Sequence, residues 1–186
     1  STFVSFRDLA VANKKYLNFA VSLAIYEALI AENIPLVSIK WPNDILSGNK
    51  KICGVLIENS LKGANISSSI IGIGLNVNQL EFIDLPDATS LKKIIKTDFD
   101  LDNLLGKLIV NMKIQIEKLA QKNFQELEAA YLSCLYKFNK PSMYRDQITK
   151  SLFMGKIIGV TTEGKLQLEL EDELVKKFGI KEIKFL

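Results

Sequence analysis

Lys40-Trp41-Pro42-Asn43-Asp44-Ile45-Leu46-Ser47-Gly48-Asn49-Lys50-Lys51-Ile52-Cys53-Gly54-Val55-Leu56-Ile57-Glu58 is the stretch on which the fold turns. Leu36 to Lys40 reads as a short strand. Pro42 has no amide hydrogen to give a ladder, so the chain must leave regular pairing there. Ile45-Leu46 resumes the strand character briefly. Ser47-Gly48-Asn49 is a turn signal, and Lys50 to Ser60 follows as a long strand. Lys62-Gly63-Ala64-Asn65 turns the chain again, and Ile66 to Val77 is β-rich, interrupted by Gly72 and Gly74. Residues 36–77 therefore read as a meander of antiparallel strands.

Moving outward on the N-terminal side, residues 2–6 alternate as a strand. From Val11 to Glu32 the apolar period changes to that of a helix, with Leu17, Val21, Ala24, Ile25, Ala28 and Leu29 on one face. Phe19, Leu23, Tyr26 and Ile30 add apolar surface elsewhere, which predicts a deeply buried helix ended before Pro35. On the C-terminal side, residues 89–96, 101–120 and 123–137 carry helical spacing. From Ser151 the pattern is short strands punctuated by Gly155, Gly159, Gly164 and Gly179. The expected fold class is α+β. A mixed or antiparallel sheet, from residues 1–7 and 36–78, has helices 11–32 and 101–121 packed on one side. A small β-barrel begins near Asn139, giving domains at 1–138 and 139–186. A β-unit of that size folds most readily against a larger neighbour.

Composition bounds the chemistry. The 186 residues are 48% apolar and 24% charged, the balance of a globular chain. The net charge of +3 is too small to argue for nucleic acid or an anionic membrane. There is no histidine, which removes Ser-His-Asp and Cys-His catalysis and the commonest metal ligand. The two cysteines, Cys53 and Cys134, form no CxxC, so neither a disulfide framework nor a metal site is expected and a reducing cytoplasm is the natural setting. No apolar run is long enough for a membrane span.

Two stretches can carry chemistry. Residues 40–51 hold Lys40, Lys50 and Lys51 against the single acid Asp44. The turn at 47–49 folds Asp44 back toward Lys51, so the two can share a site. A lysine fixed there would stabilise an anion that develops in acyl or phosphoryl transfer, and Gly54 would let a ligand lie against the strand. The plainer reading is a capped turn with Trp41 in the core. The second stretch is Ile71-Gly72-Ile73-Gly74-Leu75-Asn76-Val77-Asn78. It is not a dinucleotide fingerprint, and no helix start follows it. Its glycines admit a flat ligand, and Asn76 can both donate to and accept from a purine edge; the alternative is a bulged strand. Cys53 reads as a small core residue.

Taken together, Lys40-Trp41-Pro42-Asn43-Asp44, Lys50 to Glu58, and Gly72 to Asn78 resemble, in order and spacing, the core of biotin–protein ligases. Asp87-Ala88-Thr89-Ser90-Leu91 is similar to a segment that follows in that family, and the closing residues around Lys181-Glu182-Ile183 resemble its small SH3-like C-terminal unit. Lipoate ligases share the fold but lack the Lys-Trp-Pro-Asn-Asp run.

The resemblance implies a class II synthetase-like core and a two-step reaction. Biotin and Mg-ATP give biotinyl-5′-adenylate, and the acyl group then passes to a lysine of a biotin carboxyl carrier domain. It implies that Lys51 and Asp44 are catalytic, and that Lys40, Trp41, Asn43, Gly54, Gly72, Gly74 and Asn76 bind biotin or the adenylate. ATP, its Mg2+ and biotin are the expected small molecules. No metal is held by the protein alone, no nucleic acid or membrane is expected, and the resemblance leaves room for a homodimer. The family also carries a Gly-Arg-rich loop of the form Gly-Arg-Gly-x-x-Gly-Arg before its first long helix. The resemblance places Ser1 just beyond that loop. The chain is therefore expected to be the C-terminal two-thirds of a ligase, with weak binding when alone. The competing expectation is a non-catalytic remnant acting as an interaction domain.

Overall fold

The computed structural model describes residues 1–186. Strand β1 (Thr2–Ala10) leads through a 3-10 turn into helix α1 (Lys14–Ala31), followed by β2 (Val37–Lys40), β3 (Asp44–Ser47), β4 (Lys50–Lys62) and β5 (Asn65–Leu75). Helices α2 (Leu91–Ile95), α3 (Leu101–Ala120) and α4 (Phe124–Ser133) come next. Strands β6 (Ser142–Asp146), β7 (Leu152–Val160), β8 (Leu166–Leu170), β9 (Val175–Phe178) and β10 (Ile183–Phe185) close the chain. The first sheet has the order β1-β5-β4-β3-β2 and every ladder in it is antiparallel. The expected meander is present and β1 is added at its far edge. β1 runs to Ala10, beyond the expected residue 6, because an irregularity between Ser5 and Leu9 lets the pairing resume at Leu9–Ile66.

Two tight turns set the registers. Ser47 pairs with Lys50 and Lys62 with Asn65, so each hairpin has a two-residue loop. Gly48 and Gly63 stand first in those loops with φ of +58° and +61°, a left-handed region that glycine enters without the strain a side chain brings.

Helix α1 lies on one face of this sheet and is buried nearly all round, as its spread of apolar residues requires. The sheet takes one side, α3 a second and α4 a third. Phe19 stacks on Tyr131 of α4 with ring centroids 3.9 Å apart, and Tyr16 stacks on Phe124 at 4.4 Å. The helix starts at Lys14, later than expected, because residues 11–13 take the tighter turn. Helix α3 packs mainly on α1, through Leu104, Met112, Gln115 and Leu119, and meets the sheet chiefly at β1. Helix α4 ends at Ser133, short of the expected residue 137, because the chain there pairs with β2: the Ile39 amide donates to the Cys134 carbonyl, and the Tyr136 amide to that of Ile39.

The second sheet has the order β10-β6-β7-β8-β9 and is also antiparallel. It curls strongly. Lys176 on β9 reaches Asp146 on β6, with two strands between them in sheet order, at 2.7 Å. Phe153 and Phe178 stack across the same interior at 5.4 Å. This rolled unit lies where the sequence places a small β-barrel. It shares one continuous core with the first sheet, so the two pack as one body. No helix is long and apolar enough to cross a membrane.

Candidate functional site

The face of the first sheet opposite α1 carries a cleft of about 450 Å³, lined in part by Asn43, Asp44, Lys51, Gly54, Gly72 and Gly74. Register explains why these residues meet. Asp44 pairs with Gly54, and Gly54 pairs with Gly74, so one row crosses β3, β4 and β5 with an acid at its end and bare backbone along it. Gly72, opposite Leu56, extends the bare strip one row further.

Lys51 joins that face through a β-bulge. Ile45 pairs with Cys53 but Leu46 pairs with Lys51, so Ile52 is an extra residue on β4. Ile52 and Cys53 both turn into the core, and the alternation of side chains reverses. Lys51 thereby lands on the cleft side with Asp44 and Gly54. Its ammonium lies 2.6 Å from the Asp44 carboxylate, with side-chain exposures of 45% and 28%. The pair is half in solvent and free to exchange partners. Its contribution to stability is at most about 1 kcal/mol, as for other wet ion pairs.

The glycines differ in what they do. At Gly54 a β-carbon would stand 3.1 Å from the Lys51 ammonium nitrogen and 3.6 Å from Asp44 Oδ1. Gly54 therefore makes room for the ion pair. At Gly72 and Gly74 a β-carbon would meet nothing closer than 3.7 Å. Packing within the chain tolerates a methyl there, and its absence leaves a flat floor open to the cleft.

Other expected residues stand differently. Asn43 reaches the cleft but is pinned: its Nδ2 donates to the Val55 carbonyl at 2.6 Å, and the Val55 amide donates to its carbonyl at 3.0 Å. Asn76 does not line the cleft. Its Nδ2 donates to the Thr89 carbonyl and its Oδ1 accepts from Gln79, so both ends of the amide are engaged locally. Lys40 and Trp41 face away from the cleft, toward the C-terminal sheet. Cys53 is fully buried, and burial pushes its thiol up to about 12, which keeps it protonated and unreactive.

One contributor was not visible as a site in the sequence. The segment Asp87–Thr89 runs parallel to Lys51, whose amide donates to the Asp87 carbonyl at 2.7 Å and whose carbonyl accepts from the Thr89 amide at 2.9 Å. It fixes the backbone from which the lysine projects. Only its resemblance to a family segment marked it, since a pairing between residues about forty apart leaves no local pattern.

Residues 7–76 match the Biotin/lipoate A/B protein ligase family. These residues include all of the cleft lining except Ser1. The chain is a homologue of the biotin–protein ligases. It is 28% identical over 177 residues to the bifunctional ligase/repressor BirA of Bacillus spizizenii, covering 92% of this chain and 54% of that protein. It is 29% identical over 161 residues to the biotin–[acetyl-CoA-carboxylase] ligase of Mycobacterium tuberculosis, covering 84% and 52%. The biotin protein ligase from Aquifex aeolicus, solved in complex with biotin and ATP, superimposes with a TM-score of 0.73 at 28% identity over 94% of this chain and 72% of that one. This ligase homologue thus spans about half the length of the curated relatives it matches.

Proposed function

We propose that this chain carries the catalytic sheet and C-terminal unit of a biotin–protein ligase acting in the cytoplasm. The observation that carries the reading is the Lys51–Asp44 pair at the end of a glycine floor. The 28% identity to a ligase solved with biotin and ATP supports it.

In the first step the biotin carboxylate attacks the α-phosphorus of ATP and the bond to pyrophosphate breaks. Negative charge grows on the α-phosphate oxygens. Lys51 leaves Asp44 and neutralises that charge, the electrostatic role in which a preorganised cation is most effective. Gly54, Gly72 and Gly74 let the flat adenylate lie on the backbone, and Asn43 holds the rim of the cleft. In the second step the amine of a lysine on a biotin carboxyl carrier domain attacks the acyl carbon and AMP departs. The Asp44 carboxylate, released from Lys51, accepts the amine proton. ATP enters as its magnesium complex. The chain has no cluster of three carboxylate, His or Cys side chains. One carboxylate, Asp44, fits a magnesium ion held mainly by phosphate oxygens.

Pyrophosphate release from biotin and ATP, followed by label transfer to a carrier domain, tests the proposal. Lys51→Ala is expected to slow adenylate formation by roughly one to three orders of magnitude. Asp44→Asn is expected to slow transfer more than activation. An unchanged rate of pyrophosphate release in Lys51→Ala removes the assigned role. A second reading is a binding module without turnover. That reading requires biotin or carrier binding with no pyrophosphate produced.

A further inference from the structure

Lys40 and Trp41 sit in the run that forms the cleft, yet neither touches it. The Lys40 ammonium lies 5.1 Å from the ring centroid of Phe185 on β10. The Trp41 indole is only 5% exposed, and its Nε1 donates to the Gly164 carbonyl, in the turn between β7 and β8, at 3.1 Å. Immediately afterwards, Asn18 of α1 donates to the Pro42 carbonyl at 2.7 Å. These four residues are therefore held from three directions: Lys40 and Trp41 by the C-terminal sheet, Pro42 by α1, and Asn43 by β4. Asp44, the next residue, begins β3 at the cleft. A second hollow of about 350 Å³ follows this seam between Trp41 and Gly164, and it shares Asn43, Val55 and Leu56 with the cleft.

We propose that Lys40 and Trp41 are positioning residues. They clamp the C-terminal sheet to the turn that presents Asn43 and Asp44, so that the seat of that sheet sets the geometry of the cleft. An indole N–H aimed at a backbone carbonyl fixes the distance between the two units. A cation over an aromatic ring fixes the second point needed to stop rotation. The segment between these anchors and Asp44 is only two residues long, one of them proline, and has little slack to absorb a displacement. The consequence for catalysis rests on the ligase reading; the clamp itself does not.

Hydrogen exchange of the full chain, read residue by residue, tests it. Trp41→Phe keeps the packing and removes the donor. It is expected to accelerate exchange in the 161–165 turn and also at the Val55 amide, which is bonded to Asn43, each by up to about tenfold, the loss expected for one hydrogen bond. The amides of α1 should stay unchanged. Lys40→Met should act similarly on β10 and on Val55, and Lys40→Arg should restore protection. In the ligase assay Trp41→Phe should lower kcat for adenylate formation while the KM for biotin stays within about twofold. Loosening of the 161–165 turn with the Val55 amide unchanged overturns the clamp, as does a uniform shift of all amides. Where the wild-type chain forms no adenylate, the exchange result alone decides the clamp.

Discussion

A β-carbon at position 54 would crowd the tip of a long flexible side chain and no backbone atom. Gly54→Ala should therefore fold normally, with a stability change within about 0.5–1 kcal/mol, since alanine also lowers the entropy of the unfolded strand. The Lys51 ammonium must then move off Asp44. The expected outcome is an unfolding temperature near that of the parent with adenylate formation lowered at least about tenfold, because a cation displaced by an ångström no longer meets the charge it stabilises. Gly74→Ala separates the two glycine roles. It leaves the ion pair alone and places a methyl on the floor, so it should weaken ligand binding, measured by calorimetry, with little change in stability. Lys51 was legible as a charged residue near a turn, and Gly54 as a gap. The bulge at Ile52 that brings Lys51 to the cleft face was not, because no residue there violates the strand pattern.

Among the elements, β6 and β9 show how a short sheet is made to curl. Asp146 is buried at the end of β6. Its carboxyl is held well below the usual carboxylate range by the hydrogen bond from Lys176, with the Thr149 and Ile148 amides adding to it. A folded-state pKa below the unfolded value of about 3.9 contributes stability that is fully present above that value. The contribution is lost as the pH falls below about 4 toward the folded value. Thermal unfolding should thus show a lower midpoint at pH 3 than at pH 7. Asp146→Asn should lower the midpoint at pH 7 and flatten this acid dependence; an unchanged acid slope would remove Asp146 as its source. Lys176→Met should act in the same direction, since it removes the principal cause of the depression. The strands of this unit were readable from their glycine punctuation. The link from β9 to β6 was not, because Asp146 and Lys176 each look like ordinary surface charges when read along the chain. Asn76 is a comparable case. Its place in a glycine-rich strand pointed to a ligand, whereas its amide joins the end of β5 to Thr89 and so supports the segment beside Lys51.

At the scale of the molecule, the helical pattern of residues 101–120 was fully legible, yet it contained more apolar positions than one interface uses. Leu104, Met112 and Leu119 are buried against α1. Leu101, Leu105 and Ile109 lie 46–58% exposed beside a hollow of about 660 Å³ whose other wall includes Ile73 and Leu75 of β5. Periodicity marks a residue as apolar but does not say which neighbour covers it. Helix α3 lies on the expected side of the sheet, but it packs mainly on α1 and leaves a gap above β1 and β5. Exposed leucines in that gap add little to folding, since burial contributes only in proportion to area removed from water. Leu105→Lys should accordingly change stability by no more than about 0.5 kcal/mol, whereas Leu104→Ala, one position away and 3% exposed, should cost about 2–5 kcal/mol. Chemical denaturation of the two variants separates these cases. A large loss in Leu105→Lys would mean that the outer face of α3 is packed within the chain after all, and that the hollow between α3 and β5 closes in solution.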